Sequence, residues 1–243
     1  MLDIIGGISL TAVFALCCTV LIGSSAIGAA ERRTLTILAV LWFAGIGTLA
    51  ALGLFSATNF GTPAIGLALV TPILLSLWAA RHFASFRAAA LGLPLPVLVA
   101  VHAGRILGVF FILLFGAGRL PPTFALTAGG GDIAVAVTAL PLAWAIHQRV
   151  NAWQPLTFAW NLFGFADLLT AVTLGVGSAA DSPARFIFET PDSSVLGTLP
   201  WLLVPGLLVP LYLLTHVAVF ARLVRGRARV SGGAIEPPIP NAI

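Results

Sequence analysis

The chain has 243 residues, of which 59% are hydrophobic and only 8% are charged. Ordinary soluble domains carry roughly 25% charged residues, so the composition excludes a water-soluble fold. The formal net charge of +4 does not indicate nucleic-acid binding, because the arginines are scattered between apolar runs and form no stripe along one helix. The chain has no lysine, which excludes a Schiff-base cofactor such as retinal.

Seven apolar runs are long enough to cross the hydrocarbon core as helices, for which roughly 20 residues are needed. They predict an all-α, polytopic transmembrane bundle in residues 1–225. The remaining residues, 226–243, are rich in Gly and Pro and predict a disordered cytosolic tail. The predicted spans are residues 8–30, 35–55, 62–80, 96–115, 132–146, 158–176 and 199–221.

The arginines predict the orientation of the bundle. Each odd-numbered span is followed by basic residues, whereas the loops on the other side hold only Arg119 and Arg185. By the positive-inside rule the N-terminus is outside and the C-terminus is in the cytosol. Abundant Ala and Arg without Lys favour a bacterial inner (plasma) membrane. The basic residues of the inner side are Arg32, Arg33, Arg81, Arg87, Arg149, Arg222, Arg225, Arg227 and Arg229.

Three connecting segments have a recognisable character. Residues 81–87 mix basic and aromatic side chains, which predicts either an in-plane interfacial helix or a simple cytosolic loop. On the outer side, residues 116–131 and 177–197 are rich in glycine or acidic residues. We expect both to be loops that cap the bundle.

Arg105 and Asp167 are the outstanding polar residues inside predicted spans. Both lie about 15 Å from the outer ends of their helices, counted at 1.5 Å per residue. Because an isolated charge in the bilayer is costly, equal depth predicts a buried ion pair that is either a functional site or a structural clasp. We expect Trp160 or backbone groups to meet the remaining Arg105 donors. Gly104 and Gly108 permit close helix packing, which places span four at the centre.

A second polar layer is expected nearer the cytosol, formed by His102, Asn161 and His216. Tyr212 shares a helix face with His216, and prolines at 205 and 210 predict a kink in that span. The two histidines are either hydrogen-bonded interhelical residues or the axial ligands of a haem b. No other cofactor is predicted.

Asp132 directly follows three glycines at the expected start of span five. One interpretation is a helix cap, since an acid is favoured near a helix N-terminus. The other is a carboxylate at the outer mouth of a site, working with Arg119.

The second half of the chain contains a set of short motifs, namely Arg105-Ile106-Leu107-Gly108, Gly118-Arg119-Leu120-Pro121, Gly131-Asp132-Ile133, Trp160-Asn161 and Asp167-Leu168. In these motifs the chain resembles an uncharacterised family of bacterial multi-pass membrane proteins. The resemblance covers residues 94–220, brings no known activity, and leaves the first three spans unmatched. It implies that Arg105, Asp132, Asn161 and Asp167 are the residues of interest.

The favoured function is a transporter or small-ligand-binding bundle with a polar site at Arg105 and Asp167. The alternatives are a bis-histidine haem protein and a non-catalytic membrane subunit or assembly factor that presents residues 177–197 to a partner. An enzyme is disfavoured, because the sequence lacks a zinc-type histidine spacing and a serine elbow. The expected partners are the lipid bilayer, a small-molecule ligand, and other membrane proteins or a second copy, but not nucleic acid.

Overall fold

The computed structural model describes residues 1–232, with side chains described up to residue 225. Within this range the chain is helical and contains no strand. The last helix continues to Gly232. The predicted disordered tail, residues 226–243, begins where the described side chains end. Its last part, 233–243, lies outside the described residues.

Nine α-helices are found within residues 1–232. A 3₁₀ segment, Val101–Gly108, joins α5 to α6, and a π-helical segment, Val204–Leu208, precedes α9. In chain order the helices are α1 (Leu2–Ser24), α2 (Ala29–Ala51), α3 (Gly61–His82), α4 (Ala84–Gly92), α5 (Leu95–Ala100), α6 (Val109–Gly116), α7 (Pro122–His147), α8 (Trp153–Ser178) and α9 (Val209–Gly232).

Seven helical stretches in the described part are long and apolar enough to cross a membrane, which confirms the predicted all-α class and the span count. The protein is therefore a multi-pass membrane protein. Span four is continuous from Leu95 to Gly116 through the 3₁₀ segment, and span seven runs from Val204 to Arg225. The first two spans begin earlier than predicted, at Leu2 and Ala29.

Span five is the largest departure from the predicted boundaries. Helix α7 begins at Pro122, so most of the expected outer loop at 116–131 is helical and Asp132 lies well inside a span. Glycine is a poor helix former, which is why the Gly129-Gly130-Gly131 run predicts a loop. Here close packing overrides that tendency, since a Cβ on Gly129 would lie only 2.9 Å from the carbonyl oxygen of Gly108.

Spans four and seven form the centre of the bundle, as predicted for span four. Half of the residues in the apolar stretch of span four are buried, and 56% of those in span seven, against 6% in span two. Span two, and span three with 11% of its stretch buried, therefore lie at the periphery and present most of their apolar side chains to the surroundings. This exposure is expected of helices that contact lipid.

The segment 177–197 caps the bundle at the end where α3 and α7 begin. Asp181 accepts hydrogen bonds from the backbone N–H of Thr62 at 2.6 Å and from its hydroxyl at 2.9 Å. Glu189 accepts hydrogen bonds from the backbone N–H of Thr123 at 3.2 Å and from its hydroxyl at 2.5 Å. Acidic side chains here satisfy the free N–H groups of two helix starts, so they bind within the chain.

Between spans three and four the chain forms a short helix, α4, after a break at Phe83. Of the two predicted forms of residues 81–87, a helix is therefore present, although it begins only at Ala84. Arg87 donates a hydrogen bond to the carbonyl oxygen of Ala80 at 3.2 Å, which ties α4 to the end of α3.

Candidate functional site

The 3₁₀ segment of span four places its polar residues on one stripe. Residues three apart eclipse one another in a 3₁₀ helix, so His102, Arg105 and Gly108 all point the same way. All three are buried. An eight-residue 3₁₀ segment is unusually long, and stretches of this kind inside a helix are often associated with functional positions.

Arg105 forms ion pairs with two carboxylates. Its side chain is 1% exposed, Nε donates to Asp132 Oδ1 at 2.7 Å, and Nη2 donates to Asp167 Oδ2. The structure thus brings Arg105 and Asp167 together as their equal depth predicts, and adds Asp132. Asp132 is also about 15 Å from its helix start at Pro122.

Arg119 is not the partner of Asp132. Its Nη1 donates to Asp3 Oδ1 at 2.8 Å, and the same oxygen accepts a hydrogen bond from Trp201 Nε1 at 2.7 Å. Both sequence interpretations of Asp132, as a helix cap and as a partner of Arg119, are therefore wrong. They fail because span five begins ten residues before Asp132, at Pro122.

The remaining Arg105 contacts come from spans six and seven. Nη1 donates to the carbonyl oxygen of Gly164 at 3.0 Å and lies 3.3 Å from Nε2 of His216. A backbone group thus meets one donor, as expected. Trp160 does not contribute, because its Nε1 donates to the hydroxyl of Thr138 at 2.9 Å.

His216 and Asn161 complete the network, which we call the Arg105 cluster: Arg105, Asp132, Asp167, His216 and Asn161. Asn161 Oδ1 lies 2.7 Å from His216 Nδ1, and Asn161 Nδ2 donates to the His216 carbonyl oxygen at 3.1 Å. Because Arg105 can only donate, His216 Nε2 accepts and Nδ1 carries the proton. The predicted layer of His102, Asn161 and His216 is brought together, and His216 also reaches Arg105, because span seven begins at Val204, five residues later than predicted.

His102 lies beside the cluster in an aromatic setting. Its ring centroid is 4.1 Å from that of His216 and 5.1 Å from that of Tyr212, and the Trp160 ring meets it edge-on at 5.4 Å. His102 Nε2 lies 3.0 Å from the hydroxyl of Thr215. The hydroxyl of Tyr212 lies 3.9 Å from Cys17 Sγ.

This geometry does not fit the haem alternative. Two axial ligands bind iron from opposite faces of a macrocycle, so the macrocycle must lie between the two imidazole rings. The rings of His102 and His216 are in contact at 4.1 Å, and His216 Nε2 faces the Arg105 guanidinium. As arranged here, His102 and His216 therefore do not fit a bis-histidine haem site. Among the described residues there is also no group of three or more metal-binding side chains.

Glycines make room for the cluster on every side. A Cβ on Gly164 would lie 2.7 Å from the His216 ring, and one on Gly131 would overlap the Asp167 carboxyl group. A Cβ on Gly108 would overlap Asp132, and one on Gly104 would lie 2.5 Å from the Tyr212 hydroxyl. Close approach of glycine backbones lets four spans converge on one arginine. The spacing of Gly104 and Gly108 predicted close helix packing from the sequence. No comparable pattern predicted the roles of Gly131 and Gly164.

Two adjoining cavities lead to the cluster. The outer cavity, about 140 Å³, extends from the loops near Thr62 and Ser193 down to Asp132. The inner cavity, about 30 Å³, touches Arg105 and Tyr212. Their walls have five residues in common: Phe111, Asp132, Leu168, Val204 and Val209.

Asp132 is the member of the cluster that faces the outer cavity. Its Oδ1 accepts from Arg105, and among the described side chains no donor contacts its other oxygen, Oδ2. Its side chain is 14% exposed, compared with 8% for Asp167. The π-helical segment supplies Val204 and Pro205 to the wall of the same cavity. Because Pro205 lacks an N–H, the irregular turn there agrees with the predicted kink.

The fold and the cluster define a seven-span membrane protein with an arginine, two carboxylates and a histidine hydrogen-bonded at its centre. The chain belongs to the family described as a domain of unknown function, DUF8737, whose profile matches residues 62–224. Comparisons with curated proteins and with solved structures give no match. The match agrees with the predicted resemblance in that the family is uncharacterised. It begins earlier than residue 94, so it includes span three, and it covers every residue of the Arg105 cluster.

Proposed function

We propose that the protein binds a small, mainly apolar cation, of the class of primary aromatic or alkyl amines, and acts as a transporter or ligand-binding protein of the membrane. In this proposal the ammonium group lies at Asp132 and the apolar part fills the outer cavity. The single observation that supports it is the apolar cavity that ends at Asp132 Oδ2, a carboxylate oxygen that no described side chain contacts as a donor.

Charge favours a cation over an anion. The cluster holds one guanidinium and two carboxylates, a net charge of −1 when all three are ionised. The charged residues that line the outer cavity, Asp132 and Asp181, are both acidic. Since electrostatic interactions are strong in a water-poor interior, one ammonium group would balance this excess charge.

Size restricts the apolar part of the ligand. The outer cavity of about 140 Å³ is close to the volume of an engineered cavity, about 150 Å³, that accepts benzene. Its wall is formed largely by apolar side chains, among them Phe55, Leu69, Phe111 and Val172. A single phenyl ring or a short alkyl chain therefore suits it.

Benzylamine and uncharged benzyl alcohol are the matched probes. We expect calorimetric titration of the protein in mild detergent to show saturable binding of benzylamine and at least about tenfold weaker binding of benzyl alcohol. The decisive variant is Asp132→Asn. The asparagine oxygen still accepts the Arg105 Nε hydrogen and the Arg105–Asp167 pair stays neutral, so the protein is expected to fold but lose the preference for the amine.

Two further variants complete the design. Asp192→Asn removes the same charge from the outer segment, outside the cavity wall, and is expected to bind like the unaltered protein. Ala171→Phe fills the outer cavity and is expected to abolish binding of both probes. Equal benzylamine binding by the unaltered protein and by folded Asp132→Asn would overturn the proposal and assign the cluster to a structural clasp.

Transport is distinguished from ligand binding by uptake. Uptake of radiolabelled benzylamine into proteoliposomes, corrected for its passive entry into protein-free liposomes of the same lipid, reports protein-mediated movement. Uptake that Asp132→Asn abolishes would support a transporter. Saturable binding without uptake would support a ligand-binding protein and remove the transporter interpretation.

A further inference from the structure

A large pocket lies at the opposite end of the bundle from the outer cavity. Its volume is about 670 Å³, and it is lined by the end of α7, the start of α8, the start of span four and the last described turn of α9. The outer cavity, in contrast, is lined by the start of α7 and the end of α8. The arginine pattern places this pocket, which we call the basic pocket, on the cytosolic side of the membrane.

The charged residues of the basic pocket all have the same sign. Arg149, Arg222 and Arg225 line it, together with His147, and no acidic residue is found on the described part of its wall. Arg149 and Arg225 are exposed. Neither forms an ion pair with any described side chain, since the ion pairs of this part of the chain involve Arg105 and Arg119.

Arg222 is held in place at one wall of the pocket. Its Nη1 donates to the carbonyl oxygen of Leu91 at 2.5 Å and to that of Leu93 at 2.9 Å. These carbonyl groups lie at the end of α4, where a cation is favoured by the helix dipole. The guanidinium is thereby fixed, and among the described residues its other N–H groups have no hydrogen-bond partner, so they can serve a ligand in the pocket.

We propose that the basic pocket binds the phosphate group of an anionic phospholipid. Guanidinium groups bind phosphate oxygens through paired, charge-assisted hydrogen bonds, and basic pockets between spans on the cytosolic side suit lipid head groups. Leu95, Ile146 and Leu223 provide an apolar wall for the upper part of the acyl chains. Trp153 also lines the pocket, and tryptophan is common at membrane surfaces.

A second feature of the pocket favours an anion. Helix α8 begins at Trp153 without a hydrogen bond from a side-chain cap, and Gln154 of its first turn lines the pocket. The N-terminal end of a 26-residue helix carries a partial positive charge that adds to the three arginines. This proposal stands apart from the amine site, since the two share no residue.

Retention of lipid by the intact protein tests the assignment. The protein is placed in nanodiscs of mixed phosphatidylglycerol and phosphatidylcholine and analysed by native mass spectrometry after release. We expect bound phosphatidylglycerol in excess of its share of the bilayer. In Arg149→Gln/Arg225→Gln, which alters only exposed side chains, we expect retention of this lipid to fall by about tenfold, since each cation contributes to binding.

The matched control is Arg33→Gln/Arg81→Gln, which removes two exposed arginines from the same side of the membrane but outside the pocket. It is expected to retain phosphatidylglycerol like the unaltered protein. Equal retention by the pocket variant and the unaltered protein, or an equal loss in the control, would overturn the proposal. Displacement of the lipid by millimolar inorganic phosphate would overturn the lipid assignment and identify free phosphate as the ligand.

Discussion

Gly131 on α7 lies directly against the carboxyl group of Asp167 on α8, so that a side chain at position 131 would overlap Asp167 Oδ1. Its neighbour Gly130 faces open space. We expect Gly131→Ala to destabilise the protein by about 1–3 kcal/mol, as overpacking does. We expect Gly130→Ala to be neutral or to stabilise it by up to about 1 kcal/mol, because alanine is the better helix former.

Thermal unfolding in detergent measures both variants under the same conditions. The two positions are adjacent in one helix, so the comparison isolates the contact with Asp167 from general effects of replacing glycine. Equal unfolding temperatures would contradict the close packing of the Arg105 cluster.

Removal of the central cation is expected to be severe. Arg105→Gln leaves Asp132 and Asp167 without their counter-ion in the interior of the bundle. Breaking a buried ion pair by removing one partner costs about 3–5 kcal/mol, and we expect a loss of that size in unfolding measurements.

The triple variant Arg105→Gln/Asp132→Asn/Asp167→Asn provides the control, because it has no charge left to compensate. We expect it to be more stable than Arg105→Gln alone, which would demonstrate coupling among the three residues. If the triple variant were less stable than the single one by the sum of separate losses, the ion pairs would not act as a unit.

The sequence allowed the span count, the central position of span four and the approach of Arg105 to Asp167 to be predicted. Each of these rests on a quantity that a single sequence contains: the length of apolar runs, the position of small residues, and the number of residues between a charge and a helix end.

Asp132 and His216 could not be placed from the sequence. The glycine run before Asp132 resembles a loop, and only the packing of Gly129 against Gly108 shows why it is helical. His216 was counted from the wrong helix start, and an error of five residues moves a side chain by about 7.5 Å along the axis. Contacts between distant spans depend on where each helix begins, and the helix propensities of the residues alone do not determine these starts.

The hydrogen-bond partners of His216 and His102 determine which ring nitrogen carries the proton in each residue. Arg105 donates to His216 Nε2, so the neutral ring carries its proton on Nδ1, which donates to Asn161 Oδ1 at 2.7 Å. His102 is expected to carry its proton on Nε2, because the Thr215 hydroxyl already donates to the Tyr212 carbonyl oxygen at 2.8 Å. Nitrogen-15 NMR of histidine-labelled protein distinguishes the two forms.

Asn161→Leu tests the origin of this arrangement. The variant removes the acceptor of His216 Nδ1 and leaves a buried donor unpaired, which costs about 1–3 kcal/mol. We expect the His216 signal to change while that of His102 stays the same. An unchanged His216 signal in the folded variant would mean that Asn161 does not position the ring.

The orientation of the bundle decides from which side the outer cavity is reached. The arginine pattern predicts that the segment 177–197 is outside and that the turn after α7 is in the cytosol. We replace Cys17 and Cys18 by alanine and introduce one exposed cysteine at a time, as Ala184→Cys or Gln148→Cys. A membrane-impermeant maleimide is expected to label the first in intact cells and the second only after permeabilisation.

The two positions lie at opposite ends of α8, so their labelling has to be opposite if the span crosses the bilayer. The reverse pattern would place the outer cavity on the cytosolic side and the basic pocket outside. Labelling of both positions in intact cells would contradict the seven-span arrangement itself. The expected pattern makes Asp132 accessible from outside, which is the side from which the amine is to be supplied in uptake measurements.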